Sequence, residues 1–289
     1  MDGRAEAPAA GTVLNALATG RGSAFAIDRT VTAAVELDRS AGVTGRVAAA
    51  PGLDDGEPPD TSLIERCVAL ATERYGDGEG GTVTTESEVP LAAGLKSSSA
   101  AANAAVLATL SALGVAGEVD PIDACRLGVE AARDVGVTVT GAFDDASASM
   151  LGGLTVTDNR GDELLARDEP DWTVLVWTPP ERAYSADADA GRCERVAPVA
   201  ELIADLALSG EYGVAMTVNG LAFSAALGFP QEPMVEAMPD AAGVSLSGTG
   251  PSVVAVGDPG SLETVRERWD DREGETWLTS TRATGARTA

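Results

Sequence analysis

A loop of small and hydroxyl side chains runs directly into an alanine-rich segment, and this junction constrains the fold more than any other feature of the chain. Its sequence is Pro90-Leu91-Ala92-Ala93-Gly94-Leu95-Lys96-Ser97-Ser98-Ser99-Ala100-Ala101-Ala102-Asn103-Ala104. Pro90 and Gly94 favour a turn, and the alanines favour a helix. The first N–H groups of a helix lack internal partners and lie at the positive end of its dipole. The junction therefore predicts a phosphate-binding site in a nucleotide-dependent phosphotransfer enzyme.

The only lysine of the chain, Lys96, lies inside this loop. Every other basic side chain is an arginine, so a compact ammonium group is expected to serve the phosphates here. Two alternatives stay open: Lys96 is an ordinary surface lysine, or the serines simply cap a helix. The loop is not a Walker A motif, because that pattern requires the spacing G-x-x-x-x-G-K-[ST].

Acidic residues outnumber basic residues by 45 to 20 and give the chain a net charge of −25. An acidic tail, a disordered chain and a surface adapted to concentrated salt would each explain this excess. The acids are spread along the chain and 44% of the residues are hydrophobic, so the salt-adapted surface is favoured. No basic patch is available to neutralise a polyanion, which excludes nucleic acid as a partner.

The chain contains no histidine, which excludes a Ser-His-Asp triad, a histidine general base and ordinary histidine-ligated zinc. Cys67, Cys125 and Cys193 are widely separated and are expected to be reduced and buried. The amino terminus is polar and acidic, unlike a signal peptide. The uncharged residues 97–117 are rich in Ala, Ser and Thr, which predicts a buried helix and not a membrane span. A cytoplasmic protein that acts on a small molecule is expected.

Strand-like and helix-like segments mix without regular βαβ alternation, and this predicts an α+β fold. Short strands are expected at residues 13–15, 23–28, 31–37 and 43–49, and a short strand or extended segment at residues 137–140. Helices are expected from residue 61 to Gly76 and from Pro121, which follows the N-cap residue Asp120. A polar, acidic segment at residues 158–171 suggests the domain boundary, with one domain at 1–165 and another at 166–289.

Residues 90–101 resemble the ATP-binding signature P-x-x-x-G-L-G-S-S-A-A of the GHMP kinases, which include galactokinase, homoserine kinase and mevalonate kinase. Lys96 stands where most members have Gly, and Ser99 where many have Ala. These departures resemble the archaeal shikimate kinase branch of the family. Residues 11–25, 140–146 and 247–252 resemble further motifs of that branch and occur in the same order.

The resemblance implies a GHMP kinase fold: an N-terminal domain like the second domain of ribosomal protein S5 and a ferredoxin-like C-terminal domain. It also implies the phosphorylation of shikimate by ATP with Mg²⁺. Two rival functions stay open, another small-alcohol kinase (for homoserine or mevalonate) and a non-catalytic nucleotide-binding protein. Monomer and homodimer are both compatible with the sequence.

For the nucleotide, the resemblance implies that residues 90–100 form the ATP-binding loop, with the backbone of residues 94–98 around the phosphates. Lys96 would offset phosphate charge, and Ser98 and Glu130 would hold Mg²⁺, which prefers oxygen ligands. A solvated Glu130 that pairs with Arg126 on the same helix is the alternative.

For the acceptor, the resemblance assigns Asp144 to take or orient the proton of the substrate hydroxyl, and no histidine competes for that role. The alternative is that Asp144 and its neighbour Asp145 only cap a helix. An arginine is expected to bind the shikimate carboxylate, and Arg21 and Arg133 are the candidates. The substrate-side residues implied are Thr19, Arg21, Thr140, Gly248, Thr249 and Gly250. For the last three, close packing alone is the alternative.

Overall fold

The computed structural model describes residues 1–40, 42–53, 58–183 and 188–289, and this part of the chain forms two sheets. The first has the order β11-β1-β2-β4-β3, and β5 and β6 extend it from β2. Its pairings are antiparallel except between β3 and β4. The strands are β1 (Asp2–Leu14), β2 (Arg21–Asp38), β3 (Val43–Ala49), β4 (Gly80–Ser87), β5 (Leu154–Asp158), β6 (Glu163–Asp168) and β11 (Arg287–Thr288).

Four helices cover one face of the first sheet. They are α1 (Ser62–Tyr75), α2 (Ser97–Ala112), α3 (Pro121–Asp134) and α4 (Phe143–Leu151). α2 is the central one: it packs on β1 and β2 and also contacts the other three helices. Its alanines allow this close approach on every side, and Ala100, Ala104 and Ala108 are fully buried. α2 therefore fixes the position of its own N-terminus relative to α4 and the sheet.

The second sheet is antiparallel and has the order β10-β7-β9-β8. Helices link β7 to β8 and β9 to β10, which is the ferredoxin-like pattern predicted for the C-terminal part of the chain. The elements are β7 (Thr173–Thr178), α5 (Ala190–Glu194), α6 (Ala197–Leu208), α7 (Tyr212–Leu227), α8 (Glu232–Ala237), β8 (Gly243–Leu246), β9 (Val253–Gly257), α9 (Pro259–Trp269) and β10 (Glu275–Ser280).

The two faces of the second sheet pack in different cores. In strand β7, alternate side chains therefore belong to different cores. Val174 and Val176 join the core that α6 and α7 share with the first sheet. Leu175 and Trp177 pack against α8 and α9. Because successive side chains of a strand point to opposite faces, an unbroken apolar run such as residues 174–177 is what a sheet buried on both faces needs.

Several sequence expectations about local structure are wrong. The separate short strands expected near residues 23–28 and 31–37 are one strand, β2, which pairs with β5 near its start and with β4 near its end. Residues 137–140 are not the strand that was one of two alternatives there; they connect α3 to α4, with a bend at residues 139 and 140. The polar segment 158–171 contains β6. The predicted boundary at 165/166 falls inside β6, whereas the change of sheet comes between β6 and β7; the two domain ranges stay a prediction.

All three cysteines are buried and free. Burial raises the pKa of the Cys67 thiol to about 12, so this thiol stays protonated at neutral pH. Within the described residues, no helix has the length and hydropathy that crossing a membrane requires. Residues 97–112 of the uncharged run form the buried helix α2, as predicted.

The acidic surface leads to a prediction about salt. When KCl falls from molar concentration to ~0.1 M, the screening length grows from about 3 Å to about 10 Å. Repulsion among the excess carboxylates then increases, and we expect the melting temperature to fall by roughly 10 °C. Calorimetry across a KCl series checks this, with sucrose at equal osmolality as a control for general solute effects. A melting temperature that does not change with KCl would contradict the salt-adapted surface.

Candidate active site

Helix α2 begins at an uncapped, left-handed residue. Lys96 is the N-cap residue at φ 63° and ψ 26°, and no side chain caps the helix in the described part of the chain. The first helical hydrogen bond runs from Ala100 N–H to the Lys96 carbonyl at 3.0 Å. The N–H groups of Ser97, Ser98 and Ser99 precede it and point out of the helix start. The alternative of a serine-capped helix is therefore wrong, and the geometry suits a bound anion.

A second helix start meets this one. α4 begins after Ala142, which is also left-handed at φ 51° and also provides no side-chain cap. Lys96 Nζ lies 2.9 Å from Asp145 Oδ1, and the Lys96 side chain is only 6% exposed. The alternative of an ordinary surface lysine is thus excluded. The two helix N-termini and the Lys96–Asp145 ion pair form one polar centre, and a non-glycine residue with positive φ stands at the start of each helix.

Asp144 lies beside this ion pair and is 4% exposed. Asn159 Nδ2 donates to Asp144 Oδ1 at 2.7 Å, and Asp144 N–H donates to Asn159 Oδ1 at 3.1 Å. Burial, and after it the charge of Asp145, raise the pKa of Asp144 to about 7, although Lys96 and the Asn159 hydrogen bond oppose the shift. The site therefore holds a carboxylate that exchanges a proton near neutral pH, as proton transfer requires.

Gly22, near the start of β2, makes room for Asp144. A Cβ at position 22 would collide with Asp144 Oδ2. β2 starts at Arg21, directly after the turn that carries Thr19, so the sheet brings these two predicted substrate-side residues near the catalytic candidate. Nothing in the sequence indicates that Gly22 contacts Asp144.

The turn after β5 holds Asn159 in place. Arg133 forms a bidentate ion pair with Asp162, with both distances at 2.7 Å, and donates to the Asn159 carbonyl at 3.2 Å. Arg133 is therefore engaged with this turn. Thr140, a predicted substrate-side residue, accepts a 3.4 Å hydrogen bond from Asn159 Nδ2.

The predicted phosphate loop and the C-terminal glycine loop are interlocked. Ser247 Oγ donates to the Gly94 carbonyl at 2.8 Å, and Gly94 at φ 81° lies so close to Ser247 that a Cβ would collide with its carbonyl. A Cβ on Gly248 would lie 2.7 Å from Lys96 Nζ. Gly248 thus gives Lys96 its space, and Gly250 packs against Phe229. Both glycines lie in close contact with neighbouring residues, and the substrate-side role of Gly248, Thr249 and Gly250 stays a prediction.

Three buried polar residues that the sequence analysis did not single out hold the C-terminal glycine loop. Asn15 Nδ2 donates to the Gly248 carbonyl at 2.8 Å, and Thr12 Oγ1 accepts from Gly248 N–H at 2.7 Å. Asn219 on α7 accepts from Asn15 N–H at 2.8 Å. These contacts join the end of β1 to helix α7 and to the C-terminal glycine loop, beside Lys96.

Two predicted site residues have surface partners instead of contacts with Asp144 or Lys96. Glu130 pairs with Arg74 of α1 at 3.0 Å. The alternative to a metal role for Glu130 was an ion pair with Arg126, but Arg126 pairs with Asp123. Arg21 pairs with Glu201 of α6 at 3.2 Å. The metal role of Glu130 and Ser98 stays a prediction. Among the described residues, no cluster of three or more acidic or cysteine side chains forms a metal site.

Comparison with known proteins agrees with the sequence motifs. A family model, GHMP kinases N terminal domain, matches residues 62–153. A shikimate kinase of Halobacterium salinarum is 66% identical over 289 residues, which is 100% of both chains. A shikimate kinase of Methanosarcina mazei is 48% identical over 99% of this chain and 96% of its own.

Solved structures show the same fold at low sequence identity. A homoserine kinase from Cytophaga hutchinsonii has a TM-score of 0.78 and 17% identity, covering 100% of this chain and 97% of its own. The mevalonate kinase of Methanococcus jannaschii has a TM-score of 0.75 and 13% identity, over 96% and 98%. The predicted α+β GHMP kinase fold is confirmed. By its full-length relatives, this chain belongs to the GHMP kinase family, in the branch of the archaeal shikimate kinases.

Proposed function

We propose that the chain is a shikimate kinase that transfers the γ-phosphoryl group of ATP to the 3-hydroxyl of shikimate. The observation that carries the proposal is the buried Asp144, held beside the Lys96–Asp145 pair at the start of α2. The full-length identity to relatives named shikimate kinase supports this acceptor over the homoserine and mevalonate of the distant structural neighbours.

In the proposed reaction, the hydroxyl oxygen of shikimate attacks the γ-phosphorus, and the bond between that phosphorus and the β–γ bridging oxygen breaks. The hydroxyl proton passes to the carboxylate of Asp144, and ADP leaves with the bridging oxygen. Asp144 has the protonation behaviour for this step, because burial raises its pKa to about 7. A binding protein without catalysis would gain nothing from a buried carboxylate at this place.

The ATP phosphates would lie against the free N–H groups at the start of α2. The helix dipole and the Lys96 ammonium group would offset their charge, which matters in a chain with a net charge of −25. Since Asp145 pairs with Lys96, the lysine is already oriented and needs little rearrangement when the nucleotide binds.

The start of α2 offers one oxygen ligand for magnesium, the hydroxyl of Ser98, which is exposed on the first turn. Glu130 is partly exposed on α3 and would offer a carboxylate, the ligand type that this ion prefers, on release from Arg74. A nucleotide-bound Mg²⁺ needs only one or two protein ligands, because phosphate oxygens and water supply the others. When bound, the ion neutralises charge that develops on the transferred group. Ser98 and Glu130 remain our proposed ligands.

Arg21 is the better candidate for the shikimate carboxylate, because Arg133 is held in a bidentate pair with Asp162. The guanidinium of Arg21 binds Glu201 at one end only, and its buried Nε has no hydrogen-bond partner within the described residues.

A coupled ADP-release assay in molar KCl tests the proposal with shikimate, homoserine and mevalonate side by side. We expect turnover with shikimate and Mg²⁺-ATP, and kcat/KM at least about 10³-fold lower for the other two alcohols. Turnover with another alcohol alone would keep the kinase and reject shikimate. ATP binding without turnover on any acceptor would favour the non-catalytic alternative.

We also propose that the protein works in the cytoplasm, where its buried free thiols stay reduced. Whether it is a monomer or a homodimer stays open.

A further inference from the structure

The end of β5 carries a buried amide that contacts Asp144 twice. Asn159 is 2% exposed; its Nδ2 donates to the Asp144 carboxylate, and its Oδ1 accepts from the Asp144 N–H. One side chain therefore fixes both the backbone and the carboxylate of the same residue. We propose that Asn159 is a positioning residue for phosphoryl transfer, which fixes the Asp144 carboxylate in the orientation that receives the acceptor hydroxyl.

The orientation of the Asn159 amide follows from its partners. Its Oδ1 lies next to the Asp144 N–H, which can only donate, and accepts at 2.8 Å from the hydroxyl of Thr157. The Nδ2 group must then face the carboxylate. The amide has one arrangement that satisfies its neighbours, so it presents a donor to Asp144 without a choice of rotamer.

The backbone of Asn159 is also held from two sides. Its N–H donates to the Gly20 carbonyl at 2.8 Å, and its carbonyl accepts from Arg133, which is paired with Asp162. The turn that carries Asn159 is thus tied to the start of β2 and to α3. Such support from surrounding residues is what keeps a reacting group within the small tolerance of phosphoryl transfer.

The charges around Asp144 explain why a neutral donor is useful there. Asp145, on the same helix, disfavours the ionised form of Asp144, and Lys96, at the start of α2, favours it. Lys96 already pairs with Asp145. Asn159, on the end of β5, adds a hydrogen bond that stabilises the carboxylate without adding charge. Removing it leaves burial and the charge of Asp145 opposed only by Lys96 and the backbone hydrogen bond of Asp145, so the pKa of Asp144 rises further.

The first test is the pH profile of kcat in molar KCl for Asn159→Ala. We expect kcat to fall by about 10²-fold and KM for ATP to stay within about threefold. The acidic limb of the profile should move to higher pH. Thr157→Val, which removes only the hydroxyl that orients Asn159, should give a smaller change in the same direction. Thr72→Val, which removes a buried hydroxyl from α1, is the matched control and should leave the profile unchanged.

An unmoved acidic limb would overturn the inference, even with a lower kcat, because a general loss of structure lowers activity at every pH. So would a kcat within about threefold of the parent enzyme. If Asn159→Ala does not fold, the same two criteria apply to Thr157→Val.

The second test does not need turnover, since the first rests on the proposed function. A double-mutant cycle measures the coupling between the two side chains from the unfolding of four proteins. They are the parent chain, Asp144→Ala, Asn159→Ala and the double variant. We expect a coupling of about tenfold in the unfolding constant at pH 8, and less at pH 5, where Asp144 is protonated. Coupling without shikimate turnover would keep the contact between Asn159 and Asp144 and reject shikimate as the acceptor. Absence of coupling would reject the role of Asn159 whatever the substrate.

Discussion

Asp144→Asn is expected to lower kcat with shikimate by about 10²- to 10⁴-fold, the range that a positioned proton acceptor supplies. The amide keeps the shape of the carboxylate and can still accept from Asn159, so the start of α2 is undisturbed and the Kd for ATP should stay within about threefold. Steady-state turnover and nucleotide titration in molar KCl measure the two quantities. Turnover within about tenfold of the parent enzyme would refute the role of Asp144.

The same variant has a second expected effect, on stability. The pKa of Asp144 is raised on folding, so the native state holds its proton more tightly than the unfolded chain does. Ionising Asp144 therefore costs stability as the pH rises from its unfolded pKa near 4 to its folded pKa of about 7. Asp144→Asn removes this cost. The melting temperature of Asp144→Asn minus that of the parent should therefore increase as the pH rises from about 4 to about 7, and should stay constant at higher pH.

Gly22→Ala is expected to reduce kcat by about 10²-fold, since a displacement of about 1 Å at a reacting group has that cost. The new Cβ would collide with Asp144 Oδ2 and push the carboxylate away from Asn159. The backbone of Gly22 is ordinary strand, paired with Thr157, so the effect comes from lost space and not from a left-handed φ. Kinetics with shikimate, together with thermal unfolding, measure it.

Gly117→Ala is the matched control for Gly22→Ala. A Cβ on Gly117 meets nothing within 4 Å, and its backbone is not left-handed. This variant should keep the parent kcat and melting temperature. Parent-like kcat in Gly22→Ala would show that Asp144 tolerates displacement and would contradict the close contact.

The loop and helix of the proposed nucleotide site could be predicted because they are continuous in the chain. The turn residues, Lys96 and the alanine-rich helix stand within fifteen positions, so local propensity already favours a helix that begins beside Lys96. The acceptor side is assembled from distant segments. Asp144 meets Gly22 and Asn159 only because β2 pairs with β5 and α4 packs on both strands. No local pattern of residues reports such a meeting.

The errors in the expected strands have a related cause. Residues 137–140 alternate valine with threonine, as a strand can, but they lie between two helices. None of the described strands pairs with them, so strand propensity alone did not make a strand. β6 is polar and largely exposed, yet it forms because β5 offers it an edge. Strand formation depends on a partner that the chain supplies from elsewhere, whereas a helix makes its hydrogen bonds within itself.

The sequence by itself determined the family, the fold class and the alanine-rich helix α2, since these depend on contiguous motifs and on self-contained helices. Only the tertiary structure decided which partner each charged side chain has: Lys96 pairs with Asp145, Glu130 with Arg74, and Arg133 with Asp162. It also decided that Asn159 faces Asp144. The physical reason is that the energy of a charge depends on its burial and on neighbours within a few ångströms, and both are set by how the sheet and helices pack.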